Sequence, residues 1–145
     1  MKVLLLTAFL LGSTALFAQH KSDSTEIMNL IAADYGTMRD WDIQKHVQNC
    51  TGNYTLIENG EIWDINKEKE YYLSNASKPV DRRDYFDVRF VNVYSNIAYT
   101  VYSLKSEITQ NGSQKTYVWN ESVICRKLNN KWKIELIHST LVSKK

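Results

Sequence analysis

The last part of the chain alternates between apolar and polar side chains. In the segment NKWKIELIHST, residues 130–140, the apolar positions are Trp132, Ile134 and Leu136, and charged residues stand between them. A period of two predicts a β-strand with one buried face. His138 falls on the same side as the apolar residues. The pattern therefore predicts an imidazole on the buried face of this strand.

The first half of the chain has helical spacing instead. Apolar residues recur every three or four positions over residues 24–38, which predicts a helix. DWDIQKHVQN predicts a second, short helix, and INKEKEYYLSNAS predicts a third helix with Asp64 or Asn66 at its cap. Between these two, NYTLIENGEIWD predicts a small hairpin that turns at Asn59-Gly60.

From Arg82 onward the chain reads as strand after strand. Turn dipeptides at residues 95–96, 111–112 and 129–130 separate four segments of strand-forming residues. Helices followed by hairpin-linked strands indicate an α+β fold with an antiparallel sheet. If that sheet is strongly curved and the N-terminal helices close one end, it forms a cone with an internal cavity. A small lipocalin-like barrel is the rival, but it usually has more strands and fewer early helices.

The final turn predicts which side chains of the last two strands lie opposite each other. A two-residue turn at residues 129–130 pairs Val123 with Leu136 and Glu121 with His138. A four-residue loop centred there gives the same pairs, whereas an odd loop or a bulge shifts them by one residue. The expected result is a carboxylate beside the inward imidazole.

The preceding turns extend this row of polar side chains. A turn at residues 111–112 pairs Tyr102 with Glu121, and an even turn at residues 95–96 would add Arg89 beyond Tyr102. Directly opposed side chains have Cβ atoms roughly 4.5–5.5 Å apart, close enough for hydrogen bonds. The sequence thus predicts one inward row containing Tyr102, Glu121 and His138.

This row has two interpretations. A carboxylate, a phenol and an imidazole on a concave face suit general acid–base catalysis, but the same groups can form a polar network that only specifies the sheet. Both interpretations stay open from the residues alone. Tyr54 and Trp119 join Tyr102 as aromatic candidates for a cavity wall, with Val123 and Leu136 on the same face.

The first residues have the layout of a secretory signal peptide. Lys2 precedes an apolar run, and small residues lead to Ala18, so residues 1–18 are expected to be removed. The run is short for a membrane span. We therefore expect one domain over residues 19–145 that is periplasmic or secreted, with no membrane association after removal of the signal.

Export makes the cysteines relevant. Cys50 and Cys125 either form a disulfide or remain two buried free thiols. Two cysteines cannot make a zinc site by themselves.

Composition narrows the chemistry further. The 145 residues carry a formal net charge of +2, which gives no electrostatic reason to expect nucleic acid. The sequence has no nucleophile triad, phosphate-binding loop or metal-ligand motif, so we expect no cofactor and no metal.

Two segments, ENGEIWD and WNESVICRKLNNKWKIELIHST, are similar to a known family. Together with the early helices and long strands, they make the chain resemble the nuclear transport factor 2-like superfamily, which includes ketosteroid isomerase and polyketide cyclases. The likeness is greatest to small exported bacterial members of unknown function, and Trp132 and His138 match characteristic positions of the family's last strand. The resemblance implies a cone-shaped α+β barrel, commonly dimeric, with a pocket between sheet and helices. Enzymes of the family often use an Asp on the first strand pair as a base, and Glu58 falls near that position.

Two functions are compatible with these features. The first is an exported protein that binds a small hydrophobic, oxygen-bearing ligand, with isomerase- or lyase-like chemistry as an option. In that case Glu121 or Glu58 would act as the base, and Tyr102 or His138 would donate to a developing oxyanion.

The alternative is a dimeric binding or assembly module without turnover. Val118 and Ile124 lie on the face opposite Glu121, where a partner subunit would cover them.

Overall fold

The computed structural model describes residues 22–78 and 80–145, so the predicted signal peptide lies outside the described residues. In this part the chain forms three helices and six strands. They are α1 (22–36), α2 (Ile43–Asn49), β1 (Cys50–Glu58), β2 (Glu61–Asp64), α3 (Ile65–Asn75), β3 (Asp81–Tyr94), β4 (Ile97–Gln110), β5 (Ser113–Leu128) and β6 (Lys131–Lys144). Among the described helices, none has the length and apolar character needed to cross a bilayer.

Local side-chain chemistry explains where the second and third helices begin. The carboxylate of Asp42 accepts a hydrogen bond from the backbone N–H of Lys45 and caps α2. Asp64 caps α3 in the same way, because it accepts from the backbone N–H groups of Asn66 and Lys67. Caps of this kind are each worth about 1 kcal/mol. The predicted cap at Asp64 is confirmed.

The sheet has the strand order β2-β1-β6-β5-β4-β3 and is not closed. All neighbouring strands are antiparallel except β1 and β6, which run parallel. The predicted turns are present, and several turn residues adopt the positive φ that tight hairpins require, including Asn59, Gly60, Asn111 and Gly112. The predicted α+β fold with a curved sheet is confirmed.

The helix α1 packs across the inward face of the sheet. Ile27, Ile31 and Tyr35 are spaced by four residues and are all buried, so they form one continuous apolar stripe. The stripe joins a core whose sheet members come from β1, β4, β5 and β6. Burying one Ile side chain stabilises the fold by about 1.5–3 kcal/mol.

The register between β4 and β5 is as predicted. Tyr102 lies opposite Glu121, with Leu104 opposite Trp119 and no irregularity along the pair. Because this pairing contains no bulge, counting outward from the turn at residues 111–112 correctly predicts which residues of β4 and β5 lie opposite each other.

The register between β5 and β6 is as predicted only near the turn. Cys125 lies opposite Ile134, but a bulge at Glu135 then shifts the pairing by one residue. Beyond the bulge, Ser139 lies opposite Glu121, and His138 lies opposite Ser122 on the outward face. The predicted pairing of Glu121 with His138 is therefore wrong, because one extra residue in β6 reverses the faces.

Candidate functional site

A cavity of about 590 Å³ lies between the inward face of the sheet and the helices. Exposed side chains at its edge are Asn59, Glu61, Tyr71 and Lys115. The volume falls within the range of about 300–1,000 Å³ that is usual for small-molecule pockets. The cavity between the curved sheet and the helices is therefore large enough for a small-molecule ligand.

The carboxyl group of Glu121 lines this cavity and is held by three hydrogen bonds. Its Oε2 accepts hydrogen bonds from the hydroxyl groups of Tyr35 at 2.5 Å and Tyr102 at 2.8 Å. Its Oε1 accepts one from the hydroxyl group of Ser139 at 2.8 Å. Three elements, α1, β4 and β6, thus fix one carboxyl group that is only 3% exposed.

The surroundings of Glu121 shift its protonation equilibrium. Burial raises the pKa of Glu121, and the hydrogen bonds from the three hydroxyl groups, first that of Tyr35, oppose the rise. Burial and the charge of Glu121 also raise the pKa values of Tyr35 and Tyr102. The phenols therefore keep their protons and donate hydrogen bonds to Glu121, whose own pKa is raised.

A second carboxyl group, that of Glu58, belongs to the same inward row. Glu58 of β1 lies beside Ser139 of β6, which in turn lies beside Glu121 of β5. Burial raises the pKa of Glu58, the charge of Glu121 raises it further, and the Trp119 side chain opposes the rise. The inward row is therefore Tyr102, Glu121, Ser139 and Glu58, with Ser139 in the place predicted for His138.

The guanidinium group of Arg82 also lines the cavity, and each of its three nitrogens already donates a hydrogen bond within the wall. Its Nε donates to both carboxylate oxygens of Asp84, at 2.9 and 3.0 Å, and another nitrogen donates to the Ser106 hydroxyl at 3.0 Å. The group lies 5.3 Å from the centre of the Tyr35 ring. Arg82 consequently stiffens the wall, and three of its five N–H groups are committed there.

His46 is the centre of a buried cluster of charged side chains. The Nδ1 of His46 lies 3.0 Å from a carboxylate oxygen of Asp34, and its Nε2 lies 3.0 Å from one of Glu68. Burial alone would lower the pKa of His46, but the hydrogen bonds and charges of its partners outweigh it and raise the pKa well above its ordinary value. The imidazole is therefore protonated and holds α1, α2 and α3 together.

Sequence reasoning missed this cluster, although one signal was present. Asp34 lies three residues after Ile31 and next to Tyr35, so it falls on the apolar stripe of α1. A carboxylate on an apolar helix face needs a buried partner. Nothing in the local pattern identifies His46 as that partner.

Four of the nine predicted site residues line the cavity. Tyr54, Glu58, Trp119 and Glu121 all line it. Tyr102 is 1% exposed, lies outside the lining and acts on the cavity by donating to Glu121. Their catalytic roles stay predictions.

Four other predicted site residues lie elsewhere. His138 is exposed on the outward face, and Leu136 is on that face too, because the bulge at Glu135 reverses both. Arg89 is itself displaced by a bulge in β3, and its side chain is 67% exposed beside Asp87. Val123 does face inward but is fully buried in the core and does not line the cavity.

The cysteines are both free and buried. Burial raises the pKa of Cys50 to about 11 and that of Cys125 to about 12. Cys50 brings its sulfur to 3.8 Å from the Nε2 of His46, and Asp34, His46 and Cys50 have potential metal ligands within 4.8 Å of one another. Because carboxylates already contact both ring nitrogens of His46, the contacts favour an ion cluster over a metal site.

Comparisons with known proteins identify the fold. No protein-family model and no curated protein matches the chain. Among solved structures, a nuclear transport factor 2-like superfamily protein from Salmonella enterica serovar Typhimurium is similar, with a TM-score of 0.71 and 18% identity over 85% of this chain and 93% of that chain. A ketosteroid isomerase-like protein from Erwinia carotovora atroseptica gives 0.66 and 16% over 83% and 97%. The CamKII hub homology domain of Chlamydomonas reinhardtii gives 0.74 and 16% over 83% and 99%.

These similarities extend over nearly all of the described residues. The chain has the nuclear transport factor 2-like fold, and the predicted resemblance is confirmed at that level. At such low identity the likeness concerns the fold, so the function has to be argued from the site itself.

Proposed function

We propose that this chain is an exported small-molecule-binding protein, and that its ligand occupies the cavity with a polar end directed at Glu121. The supporting observation is the Glu121 carboxyl group, which three hydroxyl groups hold in the lining of a cavity of about 590 Å³. Specific small-molecule pockets usually combine apolar and aromatic walls with a few polar groups that fix the orientation of the ligand. The buried, oriented carboxyl group of Glu121 fits this description.

The same pocket would support general acid–base chemistry. A carboxylate with a raised pKa is a stronger base than an ordinary carboxylate, and Glu58 offers a second such group in the same row. In this proposal Glu121 or Glu58 accepts the proton. Tyr102 positions Glu121, because its single hydroxyl proton is donated to that carboxylate and is unavailable to an oxyanion.

Tryptophan fluorescence offers a direct test of binding. Trp41, Trp63 and Trp119 line the cavity, whereas Trp132 lies in the core. A screen of small amphipathic molecules by ligand-observed NMR should therefore yield hits that also change the fluorescence.

The variant Glu121→Gln keeps the shape of the side chain and should weaken those hits. The matched control is Glu107→Gln, since Glu107 lies one strand away on the outward face beside Lys105. Absence of any hit at millimolar concentration, or equal binding by both variants, would refute the proposal.

We also propose that the chain forms a homodimer through the outward face of the sheet. Large exposed side chains gather there from three adjacent strands, namely Phe90, Tyr94, Tyr99 and Ile124. Exposed apolar patches often mark protein–protein interfaces, and a hub homology domain is among the structures with a similar fold. Light scattering at micromolar concentration tests this proposal, because a dimer gives twice the monomer mass.

A further inference from the structure

The charges that line the cavity are unbalanced. Five carboxyl groups but only two basic side chains line it. Three of the carboxyl groups have cationic partners, because His46 contacts two of them and Lys67 contacts the third. Among the described residues, no basic group lies within 4.0 Å of the remaining carboxyl groups, those of Glu58 and Glu121.

The two basic side chains correct this imbalance only in part. Arg82 is paired with Asp84, and its charge opposes the rise in the pKa values of Glu58 and Glu121 without outweighing it. Lys115 is exposed at the edge of the cavity, where solvent screens its charge. The interior therefore retains an excess of acidic over basic side chains, centred on Glu58 and Glu121.

Glu58 and Glu121 belong to the same inward row and line the same cavity. They flank Ser139 on neighbouring strands, so their Cα atoms are roughly 10 Å apart and both side chains point inward. The Oε1 of Glu121 accepts only the bond from Ser139, which leaves an acceptor position for a ligand donor. The Oε2 already accepts from two phenols, so no donor of the row is left for a negatively charged ligand.

Aromatic rings form the walls next to these carboxyl groups. Tyr117 and Trp119 stack with their centres 5.2 Å apart, and Trp63 meets Tyr71 edge to face at 5.6 Å. Ring faces attract ammonium groups, and the protein's own Lys67 nitrogen lies 4.7 Å from the Trp63 ring centre. Aromatic faces combined with unpaired carboxylates are the usual surroundings of a bound ammonium group.

We propose that the ligand of this cavity is an organic cation, with an ammonium group held by Glu58 and Glu121 and an apolar or aromatic body against the tryptophan and tyrosine walls. This inference rests on the proposed binding function and specifies its ligand class. A carboxylate or phosphate ligand would be repelled by the same two groups and would find no free donor in the row.

Three probes of nearly equal size separate charge from shape: 2-phenylethylammonium, 2-phenylethanol and phenylacetate. Each is titrated by calorimetry or tryptophan fluorescence at constant ionic strength. The ammonium should bind roughly tenfold or more tightly than the alcohol, because it adds a charge-assisted bond to each carboxylate. Phenylacetate should bind more weakly than the alcohol.

The variants Glu58→Gln and Glu121→Gln should each reduce the affinity for the ammonium and leave that for the alcohol nearly unchanged. Glu107→Gln, on the outward face, is the control and should change neither affinity. Glu58 is only half-buried, so its variant still tests the inference if Glu121→Gln fails to fold.

Two results would overturn the inference. If the alcohol or phenylacetate binds the wild-type protein as tightly as the ammonium, the cation preference is wrong, while the proposed binding function stands. If none of the three probes binds at millimolar concentration, the inferred ligand class is wrong. If the NMR screen of small amphipathic molecules also yields no hit, the proposed binding function is wrong as well.

Discussion

Replacing His46 with glutamine would leave two buried carboxylates without their cation. The imidazole of His46 is 1% exposed, and its nitrogens lie 3.0 Å from oxygens of Asp34 and Glu68, whose side chains are each 4% exposed. The ring also stacks on Tyr72 at 5.1 Å between centres. Glutamine can donate to one carboxylate through its amide but cannot neutralise either of them.

The expected loss of stability is large. Breaking a buried ion pair by removal of one partner costs about 3–5 kcal/mol, because the remaining charge is left uncompensated in a medium of low dielectric. For a domain of this size that loss corresponds to a fall in Tm of roughly 10–20 °C. Arg89→Gln is the matched control, since its pair with Asp87 is 67% and 73% exposed and contributes at most about 1 kcal/mol.

The pH of the measurement matters because the pKa of His46 is raised in the folded protein. Such a group contributes its full stability below its unfolded-state pKa of about 6.5, and the contribution is lost as the pH rises toward the folded-state value. Urea unfolding at pH 6 should therefore show the full difference between the wild type and His46→Gln. At pH 9 the difference should be smaller.

A combined variant distinguishes lost charge balance from lost packing. His46→Leu together with Asp34→Asn and Glu68→Gln removes all three charges and should recover much of the stability, because apolar or neutral replacement of a buried ionic group is often nearly neutral. If His46→Gln costs less than about 1 kcal/mol at pH 6, or if the triple variant is no more stable than the single one, the ion cluster does not stabilise the fold as argued.

Four further predictions concern other parts of the molecule. The pKa of Glu121 is raised in the folded state, so the wild type loses stability as the pH rises above the unfolded-state pKa of about 4.3. In urea unfolding, Glu121→Gln should therefore gain stability relative to the wild type between pH 4 and pH 7. Parallel stability profiles of the two proteins would contradict this. Cys50 and Cys125 should react with a thiol reagent only after denaturation, because burial keeps both thiols protonated and inaccessible. No reducing agent should be needed, because both thiols are free. Rapid labelling of the native protein would be inconsistent with their burial. Light scattering at micromolar concentration should give twice the monomer mass and Ile124→Arg should give the monomer, so a monomeric wild type would remove the proposed interface. Mass spectrometry of the protein from its native host should find a chain beginning near Gln19, and a species that retains the first residue would argue against export.

Elements that depend on neighbours in sequence were predictable from the sequence alone. The cap of α3 needs only Asp64 and the next three residues, and the hairpin between β1 and β2 needs only Asn59 and Gly60. The row of Tyr102 and Glu121 followed from one regular turn, because β4 and β5 pair without a bulge. These features involve short segments whose geometry leaves few alternatives.

The register of β6 was decided by tertiary contacts. Leu136 and Ile137 are adjacent apolar residues, so either one could occupy the inward position, and the alternation in sequence does not distinguish them. In the structure Glu135 bulges and forms an ion pair with Arg126 of β5, and Ile137 takes the buried place. Ser139 then faces Glu121 and His138 faces outward, a reversal that a single extra residue produces because side chains alternate with a period of two.

The His46 cluster also depends on the assembled fold. Its carboxylates lie 12 and 22 residues away in sequence, on two different helices. The sequence placed an acid on the apolar face of α1, which required a buried cation somewhere. The packing of three helices brings the His46 imidazole to this acid and so decides which cation pairs with it. Charge pairing in a protein interior follows proximity in space and leaves no local pattern in the chain.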